Sequence, residues 1–111
     1  MTKYYFTTAT PNRPDFVKNP DETEMAVLGE HFAYFKGLQK EGKAYFAGSA
    51  MDQERTYGFY IFTTENEEEV REILENDPAY KKGIQTYSKL AELKNSLHPL
   101  QKDYPVGKEM D

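Results

Sequence analysis

The chain's 111 residues include two histidines, His31 and His98, and no cysteine. An imidazole is the side chain whose unperturbed titration falls between pH 5 and 8, which suits general acid or base work. His31 lies between Leu28, Phe35 and Leu38 on a helical wheel, inside an apolar arc and toward its edge. Asp52 ends a strand-like run, where a tight connection turns a carboxylate back over a sheet. A histidine oriented by a carboxylate is the minimal acid–base dyad, so His31 and Asp52 are the candidate catalytic pair. Each also has a plainer role: a core imidazole bonded to a backbone carbonyl, and a turn aspartate bonding its own backbone. Ser49 and Arg55 flank the carboxylate as a hydrogen-bonding and an anion contact, or as purely structural residues.

Other chemistries find less support. His98, in Leu97-His98-Pro99, has no companion at metal-ligand spacing. With two distant histidines and no thiolate, a zinc or non-haem iron site is not expected. The sequence has no glycine-rich phosphate loop, so no cofactor is expected. The net charge is −5, with acidic residues gathered at 65–77. Phosphate-backbone binding needs a basic stripe, so nucleic acid is not an expected partner. No stretch approaches the ~20 apolar residues of a membrane helix or resembles a leader peptide. The expected compartment is the cytoplasm.

The elements that must position these residues follow from periodicity. Lys3 to Ala9, rich in aromatic and β-branched residues, predicts a strand. A loop punctuated by Pro11 and Pro14 runs to about Asp21 and is long enough to shape a site. From Thr23 to Glu41, Met25, Leu28, Phe32, Phe35 and Leu38 recur at helical spacing, with Asp21 or Thr23 as cap and Gly42 as terminator. Ala44 to Met51 and Thr56 to Thr64 predict two strands joined as a hairpin. Thr64-Glu65-Asn66-Glu67 reads as a capping box opening a second helix, which Asp77-Pro78 ends. Ile84 to Leu93 predicts a fourth strand, and residues 94–111 a polar tail outside the domain formed by 1–93.

The order β-α-β-β-α-β predicts an α+β, ferredoxin-like antiparallel sheet with both helices on one face. Two helices cover only that face, yet the third strand carries Tyr57, Phe59 and Ile61 on one side and Tyr60 and Phe62 on the other. Left bare, such a face exposes more apolar area than the few hundred Å2, roughly, that monomers tolerate. A second sheet packed against it would bury those rings, so a homodimer through the sheet face is expected.

Several residues together carry a resemblance: Arg13-Pro14 with Phe16, Glu30-His31 with Tyr34, Leu38 and Gly42, then Gly48, Asp52, Tyr57-Gly58, Glu69, Asp77-Pro78-Ala79 and Gly83. As an ordered set over roughly residues 3–93 they resemble the YciI-like (YCII-related) family of small dimeric α/β-barrel proteins. The resemblance implies a ferredoxin-like protomer, pairing through the sheets, and a site centred on His31, with Asp52 matching the family's aspartate after the second strand. Arg13, Tyr34, Ser49 and Tyr57 are the ligand-binding candidates. Two positions depart from the pattern: Ser49 stands where many members have proline, and Thr10 where some have an aspartate. Related barrels include lyases, isomerases, dehydrochlorinases and monooxygenases acting on small, often aromatic molecules, and others that only bind ligands. The sequence therefore predicts either a cofactor-free acid–base enzyme with a pocket for an aromatic or cyclic molecule between the first helix and the sheet, or a non-catalytic small-molecule-binding or interaction module.

Overall fold

A computed structural model describes residues 3–13, 19–51 and 56–94. The elements run β1 (Lys3–Pro11), α1 (Glu22–Lys40), β2 (Ala44–Met51), β3 (Thr56–Thr64), α2 (Glu67–Glu75), α3 (Pro78–Lys81), β4 (Gln85–Tyr87) and β5 (Ala91–Glu92). The strands form one antiparallel sheet in the order β2-β3-β1-β4, with β5 also on β1. This is the expected α+β, ferredoxin-like arrangement.

The registers explain which side chains meet. Tyr5 opposite Phe62 and Thr7 opposite Tyr60 point to the helices, and all four are buried. Their neighbours Tyr4, Phe6, Phe59 and Ile61 point the other way and are partly exposed. Phe35 and Leu38 from α1 and Val70, Ile73 and Leu74 from α2 close the core over the buried set. Period-two alternation in the central strands and period 3.6 in the helices thus meet on one sheet face.

In and around the helices three local signals need correcting and one alternative is resolved. The buried stripe of α1 is Val27, His31, Phe35 and Leu38, while Met25 and Phe32 are 59% and 66% exposed. The arc read from the sequence spans nearly half the wheel, and the sheet meets only one side of it. Asp21 caps α1, with Glu24 completing a reciprocal capping box. Asn66, not Thr64, caps α2: its side chain accepts from the Glu69 N–H, while Thr64 Oγ1 donates to the Asn66 carbonyl. Asp77 does more than end a helix; it caps α3, whose first residue is Pro78.

The fourth strand is two short pieces rather than one run. The reason lies at Ser88, whose hydroxyl accepts the Thr8 N–H at 2.9 Å where a backbone carbonyl would continue the ladder. The Ser88 carbonyl is instead taken by Thr7 Oγ1 at 2.9 Å. A side-chain bond has replaced a rung, and regular pairing resumes only at Ala91.

Candidate functional site

His31 sits at the centre of the buried stripe of α1 rather than at its edge, with 6% of its surface exposed. The rings of Phe35 and Tyr60 lie with centroids 4.8 and 6.2 Å from the imidazole. Its two nitrogens have different partners. Nδ1 lies 2.6 Å from Asp77 Oδ1, and Nε2 lies 3.3 Å from the Tyr60 hydroxyl. A carboxylate only accepts, so Nδ1 carries the proton in the neutral ring and Nε2 presents a lone pair. In that tautomer the Tyr60 O–H donates to Nε2.

Asp77 is fully buried and every bond it makes is accounted for. Oδ1 accepts from His31 and, at 3.2 Å, from the Ala79 N–H at the start of α3. Oδ2 accepts from the Tyr87 hydroxyl at 2.5 Å and from Gln85 Nε2 at 3.2 Å. Burial alone pushes this carboxyl upward. The bonds from His31 and Tyr87, the charge of His31 and the Ala79 N–H together outweigh that and hold it below the ordinary carboxylate range. The same surroundings act oppositely on the phenols. Burial, assisted by the Asp77 charge, pushes Tyr60 up to about 12 against a lowering bond from Gln85. Burial and then the Asp77 charge and hydrogen bond push Tyr87 up further. Both phenols are therefore O–H donors at neutral pH.

Gly58 makes room for the Tyr60 ring. It lies two residues before Tyr60 on the same sheet face, and a Cβ there would sit 2.7 Å from the ring and 2.8 Å from its hydroxyl. No side chain fits without moving the group that meets His31 Nε2.

A cavity of about 460 Å3 opens on this side of the imidazole. Leu28, Phe32 and Phe35 of α1 form one wall, and Ala44, Ala47, Gly48 and Ser49 of β2 form the floor. Tyr60 and Gln85 close the end near His31, with Thr56 and Tyr57 also at the lining. The volume is within the ~300–1,000 Å3 range of small-molecule sites, and the lining has the usual mix of apolar walls and few polar groups.

The residues singled out in the sequence fall into three groups. His31, Ser49 and Tyr57 border this cavity. Tyr34 and Arg13 are not among its lining: the Tyr34 hydroxyl donates to the Ile73 carbonyl at 2.6 Å, on the opposite flank of α1. Arg13 pairs with Glu24 and donates to the Asn19 carbonyl at 2.9 Å, bracing the loop against the start of α1. Asp52 and Arg55 lie outside the described residues. Asp77, Tyr60, Gln85 and Tyr87 were not marked in the sequence as site residues. A signal for Asp77 existed in Asp77-Pro78-Ala79, a segment of the ordered set, but an Asp-Pro pair reads locally as punctuation. Among the described residues no group of three or more His, Asp or Glu could hold a metal, and no helix is long and apolar enough to cross a membrane.

Comparison with known proteins places the chain in a family. A solved structure of 5-chloro-2-hydroxyhydroquinone dehydrochlorinase (TftG) from Burkholderia phenoliruptrix AC1100, in complex with 2,5-dihydroxybenzoquinone, superposes with a TM-score of 0.54 at 22% identity, covering 77% of this chain and 91% of that one. The structural-genomics protein YJCS superposes with a TM-score of 0.50 at 16% identity, over 85% of this chain and 98% of that one. At these identities the likeness is one of fold. No curated protein matches the sequence. The YCII-related domain matches residues 5–94, most of the chain, and the protein belongs to that family.

Proposed function

We propose that the protein is a small-molecule enzyme using cofactor-free acid–base chemistry, with His31 Nε2 as the group that takes and returns a proton. One observation carries this reading: a buried imidazole is held at Nδ1 by a fully satisfied carboxylate, while Nε2 is directed at a phenol beside an apolar cavity. Asp77 fixes the tautomer and stabilises the imidazolium formed when Nε2 accepts a proton. Tyr60, kept protonated, donates to Nε2 in the resting site and to an oxygen of a bound molecule during reaction. The electron pair left by the abstracted proton delocalises into the ring or carbonyl of the ligand, and Nε2 then returns the proton at the same or a neighbouring atom.

The aromatic walls suit a flat cyclic molecule, which agrees with the dihydroxybenzoquinone bound by the structurally similar dehydrochlorinase. Asp52, expected from the sequence to orient the imidazole, lies outside the described residues, and Asp77 occupies Nδ1, so the contribution of Asp52 is decided by substitution. The test is deuterium uptake from D2O into a panel of hydroxylated benzenes and quinones, followed by proton NMR. The wild-type chain should accelerate exchange into at least one compound, and His31→Ala should reduce that rate by about 10²–10⁴-fold. Asp52→Asn should reduce it less, and an unchanged rate removes Asp52 from the mechanism. Compounds that bind without any exchange would instead favour the binding-module reading.

The proposal includes a homodimer through the helix-free sheet face. Phe46 is 47% exposed there, its ring centroid 5.6 Å from Phe59, which in turn packs 4.9 Å from Phe6. Nothing within the described chain covers this cluster, and a stable pairing should bury more than about 1,200 Å2 in total.

A further inference from the structure

The side of α1 that lines the cavity, over β2 of the sheet, changes character along its length. Leu28 and His31 stand at its N-terminal end, Phe32 and Phe35 form the apolar middle, and Lys36 and Gln39 the C-terminal end. Apart from the imidazole, Lys36 is the charged side chain on the lining among the described residues, and no carboxylate stands there with it. The helix itself leaves this cation unneutralised. Its neighbours one turn away are Phe32 and Ala33 before it and Gln39 and Lys40 after it, none of them acidic. No ion pair involves Lys36 among the described residues, in a chain whose net charge is −5. A lone ammonium at the end of an apolar slot, with an amide beside it, is the arrangement that selects an anionic group.

We infer that the ligand of this cavity is a small aromatic anion, whose carboxylate or phenolate is held by Lys36 with Gln39 while the opposite edge of its ring meets His31 and Tyr60. The spacing fits one ring. His31 and Lys36 are five positions apart on α1, roughly 7.5 Å along its axis, and the flexible lysine stem adjusts the remainder. The small floor residues Ala47 and Gly48 leave the thickness of a ring beneath Phe32 and Phe35. This inference rests on the acid–base reading for the role of His31, but it is tested by binding alone.

The probes are 4-hydroxybenzoate and its neutral isostere 4-hydroxybenzamide, titrated by NMR into the wild-type chain, Lys36→Gln and Lys36→Arg. Lys36 is exposed, so these variants keep the fold, which an amide correlation spectrum verifies. The wild type should bind the acid about tenfold more tightly than the amide, a preference abolished in Lys36→Gln and retained in Lys36→Arg. Added salt should weaken the acid and leave the amide unchanged. Equal binding of both probes, binding of neither, or a preference that survives Lys36→Gln would overturn the inference. An anion preference without deuterium exchange into any compound would keep it and overturn the catalytic reading; exchange without anion preference would do the reverse.

Discussion

At the scale of single residues the site rests on the pairing of His31 with Asp77. Removing the carboxylate strands a buried imidazole, so Asp77→Ala should cost roughly 3–5 kcal/mol, measured by urea unfolding at pH 7. The pH dependence follows from the same pair. Because the Asp77 carboxyl is held below its ordinary range in the folded state, its contribution is fully present above that range. It is lost as the pH falls through the lowered folded value, since protonation is then easier in the unfolded chain. Unfolding free energy measured from neutral to acidic pH should therefore fall more steeply for the wild type than for Asp77→Asn. Equal acid limbs would mean that the carboxylate is not held as described. Gly58 tests the neighbouring contact: Gly58→Ala forces the Tyr60 ring aside, and should cost about 1–3 kcal/mol by overpacking while lowering exchange activity.

At the scale of elements, the caps and the registers decide where those residues stand. Asp21 and Glu24 fix the start of α1 and, through Arg13, the end of the preceding loop. Asp21→Ala should therefore lower stability by about 1 kcal/mol, read from the urea midpoint at unchanged slope. The two long helices and the pairing of β2 with β3 were legible in the sequence, because each rests on a local period, and the ferredoxin-like class followed from the order of elements. What the sequence hid is set by tertiary contact. Met25 and Phe32 obey the helical period as well as Phe35 does, and only the position of the sheet separates buried from exposed. Asp77 reads as a helix stop because two residues are all that its local pattern involves. Its real partners, His31 and Tyr87, are brought to it by the return of the chain through α3 and β4. The interruption between β4 and β5 is equally non-local, since it depends on Ser88 meeting Thr7 and Thr8 of β1.

At the scale of the molecule, the sheet has one face committed to the helices and one carrying Tyr4, Phe6, Tyr45, Phe46 and Phe59. The homodimer proposed above should appear as twice the 12.9 kDa chain mass in light scattering at micromolar concentration. Phe46→Lys should shift it to the monomer, because one buried ammonium per subunit outweighs most of what the ring contributes. A wild-type monomer at that concentration would remove the pairing from the account. The polar tail expected over residues 94–111 lies, beyond Lys94, outside the described residues.

Asp77 holds the proton of the neutral His31 ring on Nδ1, and the Nε2 lone pair meets the Tyr60 hydroxyl at the edge of the cavity. Long-range proton–nitrogen NMR of the ring measures this directly. The neutral imidazole should show a protonated Nδ1 and an unprotonated Nε2, and the Nε2 signal should move when 4-hydroxybenzoate fills the cavity. In Asp77→Asn the preference for that tautomer should be lost. A ring protonated at Nε2 in the wild type, or an Nε2 signal indifferent to a ligand shown to occupy the cavity, would contradict the account.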